Sequence, residues 1–362
     1  MAYQVSPLPP SSAPELESKA VLKKLASAHR YLAELKGVAR TIPNEAIILN
    51  TLTLQEAKDS SAIENIITTH DELYRANLPD EDMLNPAAKE VQDYSVALKR
   101  GFDRVRDTRL IRLGDILDIQ QTLRNVAGLR RLPGTALKNQ QTAEVVYTPP
   151  QEPGRIEALM ANLVDYINDD SLHELDELLK MAIVHFQFES IHPFYDGNGR
   201  TGRIINILYL VAKGLLDLPV LYLSRYITRH KSAYYRNLQA VRDDNAWEQW
   251  LLYMLDAVEQ TARQTIFLIE GINRLMLHYK HGIREQLPKI YSQDLLNNLF
   301  AHPYTKIELL VNDLRVTRLT ATRYLDQLIE KGFLTKSKIG RTNYYINTPL
   351  YQLFVDNPDA PA

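Results

Sequence analysis

Twelve consecutive residues, 192 to 203, read HPFYDGNGRTGR. They put a histidine, a carboxylate, two glycines around an asparagine, and two arginines into one short stretch. His192 is a candidate general base, because imidazole titrates near neutral pH. Asp196 is the hard oxygen ligand that Mg²⁺ takes beside phosphates. Gly197 and Gly199 let the backbone approach a ligand closely, and Asn198 between them tolerates left-handed geometry. A helix that begins here has unpaired N–H groups at the positive end of its dipole, which is an anion cradle. Arg200 and Arg203 are three apart, so they share one helix face and flank that cradle. Together these parts describe a nucleotide phosphate site with a base aimed at it. Each part alone has an ordinary explanation: G-x-G is commonly a turn, an Asp in a turn is commonly an Asx-turn, and paired arginines are commonly a solvated face. Their coincidence within twelve residues favours the site. A zinc reading of His185, Glu189 and His192 lacks the H-E-x-x-H spacing, and no Gly-Lys-Ser/Thr follows as a Walker A loop requires. His185 reads as a packing or supporting histidine.

Two helices must hold this stretch. The first carries Leu175, Leu178, Leu179, Ala182, Ile183 and Phe186 at helical spacing, with Ser171 and Glu174 expected as a capping box. Pro193 should close it, because proline disfavours helical geometry in the residue before it. The second, RTGRIINILYLVAKG, is apolar almost all round and should end at Gly214. A helix of that kind belongs in the centre of a helical domain. Residues 18 to 130 and 150 to 285 are largely helical in pattern. Between them LPGTALKNQQTAEVVYTPP, residues 132 to 150, reads as a β-hairpin with a polar centre at Asn139 to Gln141. Residues 1 to 15 read as an extended Pro/Ser-rich arm.

The chain has 362 residues, 45% of them hydrophobic and 24% charged, with a formal net charge of −2. That is room for two or three domains, and no global field advertises nucleic acid or membrane. The absence of cysteine excludes disulfides, thiolate nucleophiles and cysteine-bound zinc, and suits a cytoplasmic protein. A signal peptide and a membrane span are not expected.

The stretch HPFYDGNGRTGR resembles the Fic-family motif H-P-F-x-[D/E]-G-N-G-R-x-x-R at every fixed position. HFQFESI before it and the segment from Tyr222 to Leu255 after it are also similar, and the resemblance covers roughly residues 1 to 300. It implies a mainly α fold: a Fic (Fido) helical domain with a β-hairpin flap, plus a C-terminal winged helix. The implied parts are 1–105, an N-terminal helical region with an inhibitory helix at about 55–68; 106–290, the catalytic domain with flap 132–150; and 291–362, the winged helix. The implied activity is protein adenylyl transfer from ATP with Mg²⁺. His192 would deprotonate a Ser, Thr or Tyr hydroxyl of a target protein, or of the chain itself, and Asp196 would hold the metal. Gly197, Asn198, Gly199, Arg200, Thr201, Gly202 and Arg203 would bind ATP. Tyr235 of the Tyr234–Tyr235 pair would contact the nucleotide. Phe194 would anchor the loop inward. The flap at 135 to 148 would hold a target segment by β-strand addition. SSAIEN, residues 60 to 65, fits the family's inhibitory pattern [S/T]-x-x-x-E-[G/N] through Ser60, Glu64 and Asn65, with Glu64 expected to pair with Arg203. A homodimer is compatible with the resemblance.

Residues 301 to 350 read as helix, turn, helix and two strands around Gly340, which resembles a winged helix. They hold eight Lys/Arg against four Asp/Glu. Two readings stay open here. One is DNA contact through Thr317, Arg318, Thr320, Thr322 and Arg323, with Lys338 and Arg341 in the wing. The other is a protein-interaction or dimer module. The alternatives for the whole chain are a DNA-binding regulator whose Fic domain senses nucleotide, and a Fic enzyme of other transfer or de-AMPylation activity. The intact motif, His192 included, argues against both pure sensing and phosphate-transfer variants.

Overall fold

The computed structural model describes residues 3–10, 16–76, 85–126, 128–138, 142–172, 174–339 and 342–355. The chain is mainly helical. α1 (Lys19–Ala39), α2 (Glu45–Ile63), α3 (His70–Ala76), α4 (Pro86–Thr108) and α5 (Leu113–Arg124) lead to a two-stranded hairpin, β1 (Leu137–Lys138) and β2 (Val145–Tyr147). α6 (Pro153–Asn168), α7 (Glu177–Ile191), α8 (Asn198–Ala212), α9 (Leu223–Arg229), α10 (Lys231–Asp244) and the 40-residue α11 (Trp247–Gln286) follow. The C-terminal part contains α12 (Gln293–Ala301), β3 (Tyr304–Thr305), α13 (Ile307–Leu314), α14 (Arg318–Glu330), β4 (Thr335–Ile339), β5 (Thr342–Ile346) and α15 (Thr348–Val355). Its strands form an antiparallel sheet in the order β3-β5-β4. No described helix is long and apolar enough to cross a membrane.

α7 and α8 pack against each other at the centre, with α4 and α5 against α8, α6 against α7, and α1 along α11. From Leu178 to Ile191 every residue of α7 is buried, so the apolar stripe expected from the sequence is only one side of a helix covered on all sides. The expected capping box is corrected. The N-cap is Asp176, whose Oδ1 accepts from the Leu178 N–H at 2.8 Å and whose carboxylate also meets His29 of α1. Ser171 instead bonds Asp169 within a short 3₁₀ turn. An acceptor one residue before the helix and anchored to a second element outcompetes a serine several residues upstream. α7 does end at Ile191, ahead of Pro193, and Gly214 lies just past α8 with φ +70°.

α2 is longer than the expected 55–68 and stops earlier. Asn44 caps its start, the Ala46 N–H donating to Oδ1 at 2.9 Å. Its end is a Schellman motif: Asn65 takes φ +63°, its N–H donates to the Ala62 carbonyl, and the Ile66 N–H donates to the Ser61 carbonyl. Midway along, the buried Glu56 accepts from the Tyr94 hydroxyl of α4 at 2.9 Å and from Ser224 of α9, and burial pushes its carboxyl up to about 7. α2 is therefore fixed on two sides before it reaches residue 64. The N-terminal arm is docked along residues 3–8. Asn162 bonds both backbone groups of Leu8, Gln187 donates to the Ser6 carbonyl and Arg155 to the Val5 carbonyl.

Candidate active site

The loop between α7 and α8 turns on two left-handed residues. His192, the C-cap of α7, has φ +48°, and Gly197, the N-cap of α8, has φ +78°. Asn198 ties the loop to itself: its Oδ1 accepts from the Phe194 N–H at 2.9 Å and its Nδ2 donates to the Phe194 carbonyl at 2.8 Å. Phe194 is buried beside Phe188. The backbone of residues 192 to 198 is thus set by its own hydrogen bonds before any ligand is considered.

A cleft of about 710 Å³ opens above this loop. Glu64, Leu137, Tyr147, Glu189, His192, Gly199, Arg203, Lys231, Tyr234, Tyr235 and Arg242 are among its lining residues. Arg203 is 2% exposed. Its Nε donates to Ser60 Oγ at 2.8 Å, and its Nη2 donates to the Ser60 carbonyl and to Glu64 Oε1, each at 2.9 Å. Every one of these partners belongs to the last turn and cap of α2. The Glu64 carboxylate lies so close to Gly199 that a Cβ there would collide with Oε1, and would stand 2.9 Å from Arg203 Nη1. Gly199 is the second residue of α8. A carboxylate therefore occupies the N-terminus of the central helix, where an anion is stabilised by unpaired N–H groups and the dipole. Asn65 follows from the same geometry. A residue after Glu64 must adopt positive φ to close α2, which favours Asn or Gly. Lys231 completes the cap by donating to the Ile63 carbonyl at 2.6 Å.

The other expected residues are distributed around the cleft. Arg200 is 1% exposed, and its Nη1 bonds Glu90 of α4 at 2.9 Å; Arg124 bonds the same Glu90 oxygen at 2.8 Å. Arg200 is not among the lining residues of the cleft. Thr201 is buried, and Gly202 packs against Glu189 and Phe188. Tyr235 is 45% exposed and lines the cleft, whereas Tyr234 is buried and bonds His185 Nε2 at 2.8 Å. His185 also meets Asn206 and stacks on Trp250, which makes it a core residue. Asp196 is exposed; one oxygen accepts from the Gly197 N–H at 2.6 Å and the other pairs with Arg124. A single accessible carboxylate suits Mg²⁺, which keeps most of its waters and leans on substrate phosphates rather than on a protein cage. No cluster of three metal-binding side chains occurs among the described residues.

Burial, reinforced by the Arg130 and Arg242 charges, lowers the His192 pKa to about 4. The imidazole is therefore neutral at neutral pH, the form a base requires. Burial pushes the neighbouring Glu189 carboxyl up to about 7. The hairpin pairs Leu137 with Tyr147 and Lys138 with Val145; its expected centre, Asn139 to Gln141, lies outside the described residues. Four contributors were missed by sequence reasoning: Glu90 and Arg124, which hold the loop's charges, and Arg130 and Arg242, which surround His192. No local feature of the sequence marked any of the four.

Three family models follow one another along the chain: Fic/DOC family N-terminal over 22–103, Fic/DOC family over 110–210, and the C-terminal domain of SoFic-like protein adenylyltransferase over 275–350. The chain belongs to the Fic family. A protein adenylyltransferase fic-1 of Caenorhabditis briggsae is 37% identical over 73 residues, which is 20% of this chain and 14% of the relative. A protein adenylyltransferase Fic of Drosophila willistoni is 24% identical over 184 residues, 50% of this chain and 35% of the relative. The chain thus spans about a third or less of these curated relatives. Among solved structures, a Fic family protein from Desulfovibrio desulfuricans G20 superposes with a TM-score of 0.58 at 19% identity, covering 93% of this chain and 98% of that one. Fic-1 (residues 134–508) from C. elegans gives 0.52 at 19% identity, over 69% and 73%. At these identities the structural likeness is one of fold.

The C-terminal residues expected to meet DNA have partners of their own. Thr317 caps α14, Arg318 pairs with Glu308, and the Thr322 hydroxyl donates to the Arg318 carbonyl. The same helix presents Asp326 and Glu330 beside Arg323 along one shallow groove. Gly340 and Arg341 lie outside the described residues.

Proposed function

We propose that this protein transfers AMP from ATP to a hydroxyl side chain of target proteins, and of itself, and that Glu64 holds the transfer back. The observation that carries this reading is the Glu64 carboxylate on Arg203, over Gly199, at the N-terminus of α8. That position suits a phosphate by charge and by space. In the active arrangement Glu64 gives way, Arg203 binds the terminal phosphates, and Arg200 exchanges Glu90 for phosphate oxygens. The amides of Gly197, Asn198 and Gly199, with Thr201 and Gly202 behind them, face the charge that develops on the phosphoryl group. Asp196, released from Arg124, would hold Mg²⁺, which when bound would supply charge neutralisation to the nucleotide phosphates. Tyr235 borders the nucleoside.

A Ser, Thr or Tyr oxygen of the target attacks the α-phosphorus. The bond from that phosphorus to the bridging oxygen breaks, pyrophosphate leaves, and the hydroxyl proton goes to His192. Val145 and Val146, both exposed on the hairpin, suit docking of the target by strand addition. We read the chain as an N-terminal regulatory part (1–105), a catalytic part (106–290) and a C-terminal winged-helix part (291–362). The paired arginine and acidic residues of α14 favour a protein-interaction role for the last part over DNA contact. The test is incubation of the Glu64→Gly protein with lysate and ATP labelled at the α- or the γ-phosphate. Protein label from the α-position alone is expected; label from the γ-position would replace adenylyl transfer by phosphoryl transfer.

A further inference from the structure

Arg130 lies ahead of the hairpin and is 1% exposed. Its guanidinium is spent on carbonyl groups. Nε donates to the His192 carbonyl at 2.8 Å, and Nη2 donates to the Ile191 carbonyl at 3.4 Å and to the Pro150 carbonyl. Its backbone N–H donates to the Pro193 carbonyl at 2.9 Å. Nη1 is buried without a hydrogen-bond partner. Burying a guanidinium against carbonyls, with one nitrogen unpaired, is costly for packing alone. The negative end of α7, where Ile191 and His192 present their carbonyls, offsets part of that cost.

What the arrangement achieves is a fastening. Pro150 is the exit of the hairpin, and residues 191 to 193 are the turn that bears the imidazole. Three further bonds join the same segments. The Tyr147 hydroxyl donates to the Ser190 carbonyl at 2.8 Å, and the Tyr195 hydroxyl accepts from the Arg131 and Leu132 N–H groups, each at 2.9 Å. Arg242 covers the Tyr147 ring at 4.1 Å. The hairpin is therefore tied at entry and exit to residues 190–195, while Val145 and Val146 stay exposed on it. Only a forked, planar cation reaches Pro150 and His192 at once; a lysine ammonium satisfies one side at a time.

We infer that Arg130 is a positioning residue for the transfer: it fixes the register of the hairpin against His192, so that a hydroxyl on a strand docked there meets the imidazole. The inference rests on the adenylyl-transfer reading above. Because misplacement of reacting groups by about 1 Å costs on the order of 10²-fold, loss of this tie falls on the rate of transfer rather than on nucleotide binding.

The test starts from the Glu64→Gly protein and adds Arg130→Gln, Arg130→Lys or Tyr147→Phe. Labelling of lysate proteins with α-labelled ATP is followed across ATP concentrations, together with amide exchange. Arg130→Gln is expected to lower the rate at saturating ATP by about 10²-fold, with KM for ATP within about twofold of the parent. Arg130→Lys should restore part of the rate. Amides of residues 145–150 and 190–195 should exchange faster together. A rate within threefold of the parent, or a loss lying wholly in KM for ATP, overturns the inference. If Arg130→Gln does not fold, Tyr147→Phe removes a single hydroxyl and decides by the same criteria, with a smaller fall. If the parent itself takes no α-label, the transfer reading fails, and exchange decides the fastening: joint acceleration supports it and unchanged exchange overturns it.

Discussion

Two pairs of arginines look alike in the sequence and differ in the fold. Arg200 and Arg203 sit three apart on α8; Arg318 and Arg323 sit five apart on α14. Both pairs lie beside a helix start and both suggest phosphate. The first pair is buried, 1% and 2% exposed, and each member is held by a carboxylate from another element. In the second pair the Arg318 side chain is 69% exposed and tied to Glu308, while Arg323 shares its surface with Asp326 and Glu330. Removing the carboxylate from a buried guanidinium leaves its charge uncompensated, so an anion is the favoured occupant of the place Glu64 would vacate. An exposed one has water and carries no such demand. On the proposed reading, burial beside a carboxylate from another element, more than the arginine itself, distinguishes the phosphate site.

The largest effect expected around the first pair is at the base it serves. His192→Ala in the Glu64→Gly protein should lower labelling by about 10²- to 10⁴-fold. Binding of a fluorescent ATP analogue should persist, because the phosphate subsite does not use the imidazole. Retained labelling above a few per cent would remove His192 from that role. Next, Arg203→Ala in the same background should lower labelling by about 10²- to 10³-fold, as loss of one donor to developing phosphate charge does. Activation on Arg203→Ala in the wild-type background would contradict its part in ATP binding.

A subtler change tests whether the counter-charge is held in place by local geometry. Asn65→Ala keeps a Cβ at φ +63° but removes the short polar side chain that makes the left-handed conformation tolerable, which costs roughly 1 kcal/mol and loosens the end of α2. Labelling should rise several-fold, with Asn65→Gly close to wild type. Equal rates for all three proteins would mean that the Schellman turn does not set Glu64. The smallest effect belongs to the second pair. Arg318→Ala and Arg323→Ala should leave labelling within about twofold, as surface changes away from a site do. Neither they nor the wild type should retard duplex DNA at low salt. Retardation that weakens steeply with salt and is lost in Arg323→Ala would place the second pair on the same footing as the first.

The parts of the site that were legible in the sequence are those whose chemistry is local. His192 through Arg203 announce a helix N-terminus because glycine, asparagine and proline fix backbone geometry within a few residues. α7 and α8 were legible for the same reason, from their apolar character and Pro193. The start of α7 was not, because Asp176 is selected over Ser171 by a partner, His29, 147 positions away. Glu64 was legible only through a family resemblance; six loose positions say nothing of the 2.9 Å contact made 139 residues later. Glu90 and Arg130 were not legible at all. A carboxylate on an amphipathic helix and an arginine before a turn have ordinary surface readings, and only packing shows that one balances Arg200 and the other is buried on three carbonyls.

If the Glu64 carboxylate fills the place of a phosphate, its removal must show in the initial rates of α-label incorporation for wild type and Glu64→Gly protein at saturating ATP and Mg²⁺. A rise on the order of 10²-fold is expected for Glu64→Gly, since ATP phosphates then reach in-line geometry, and an intermediate rise for Glu64→Asp. A Glu64→Gly protein that labels itself and lysate proteins no faster than wild type would contradict that role of the carboxylate.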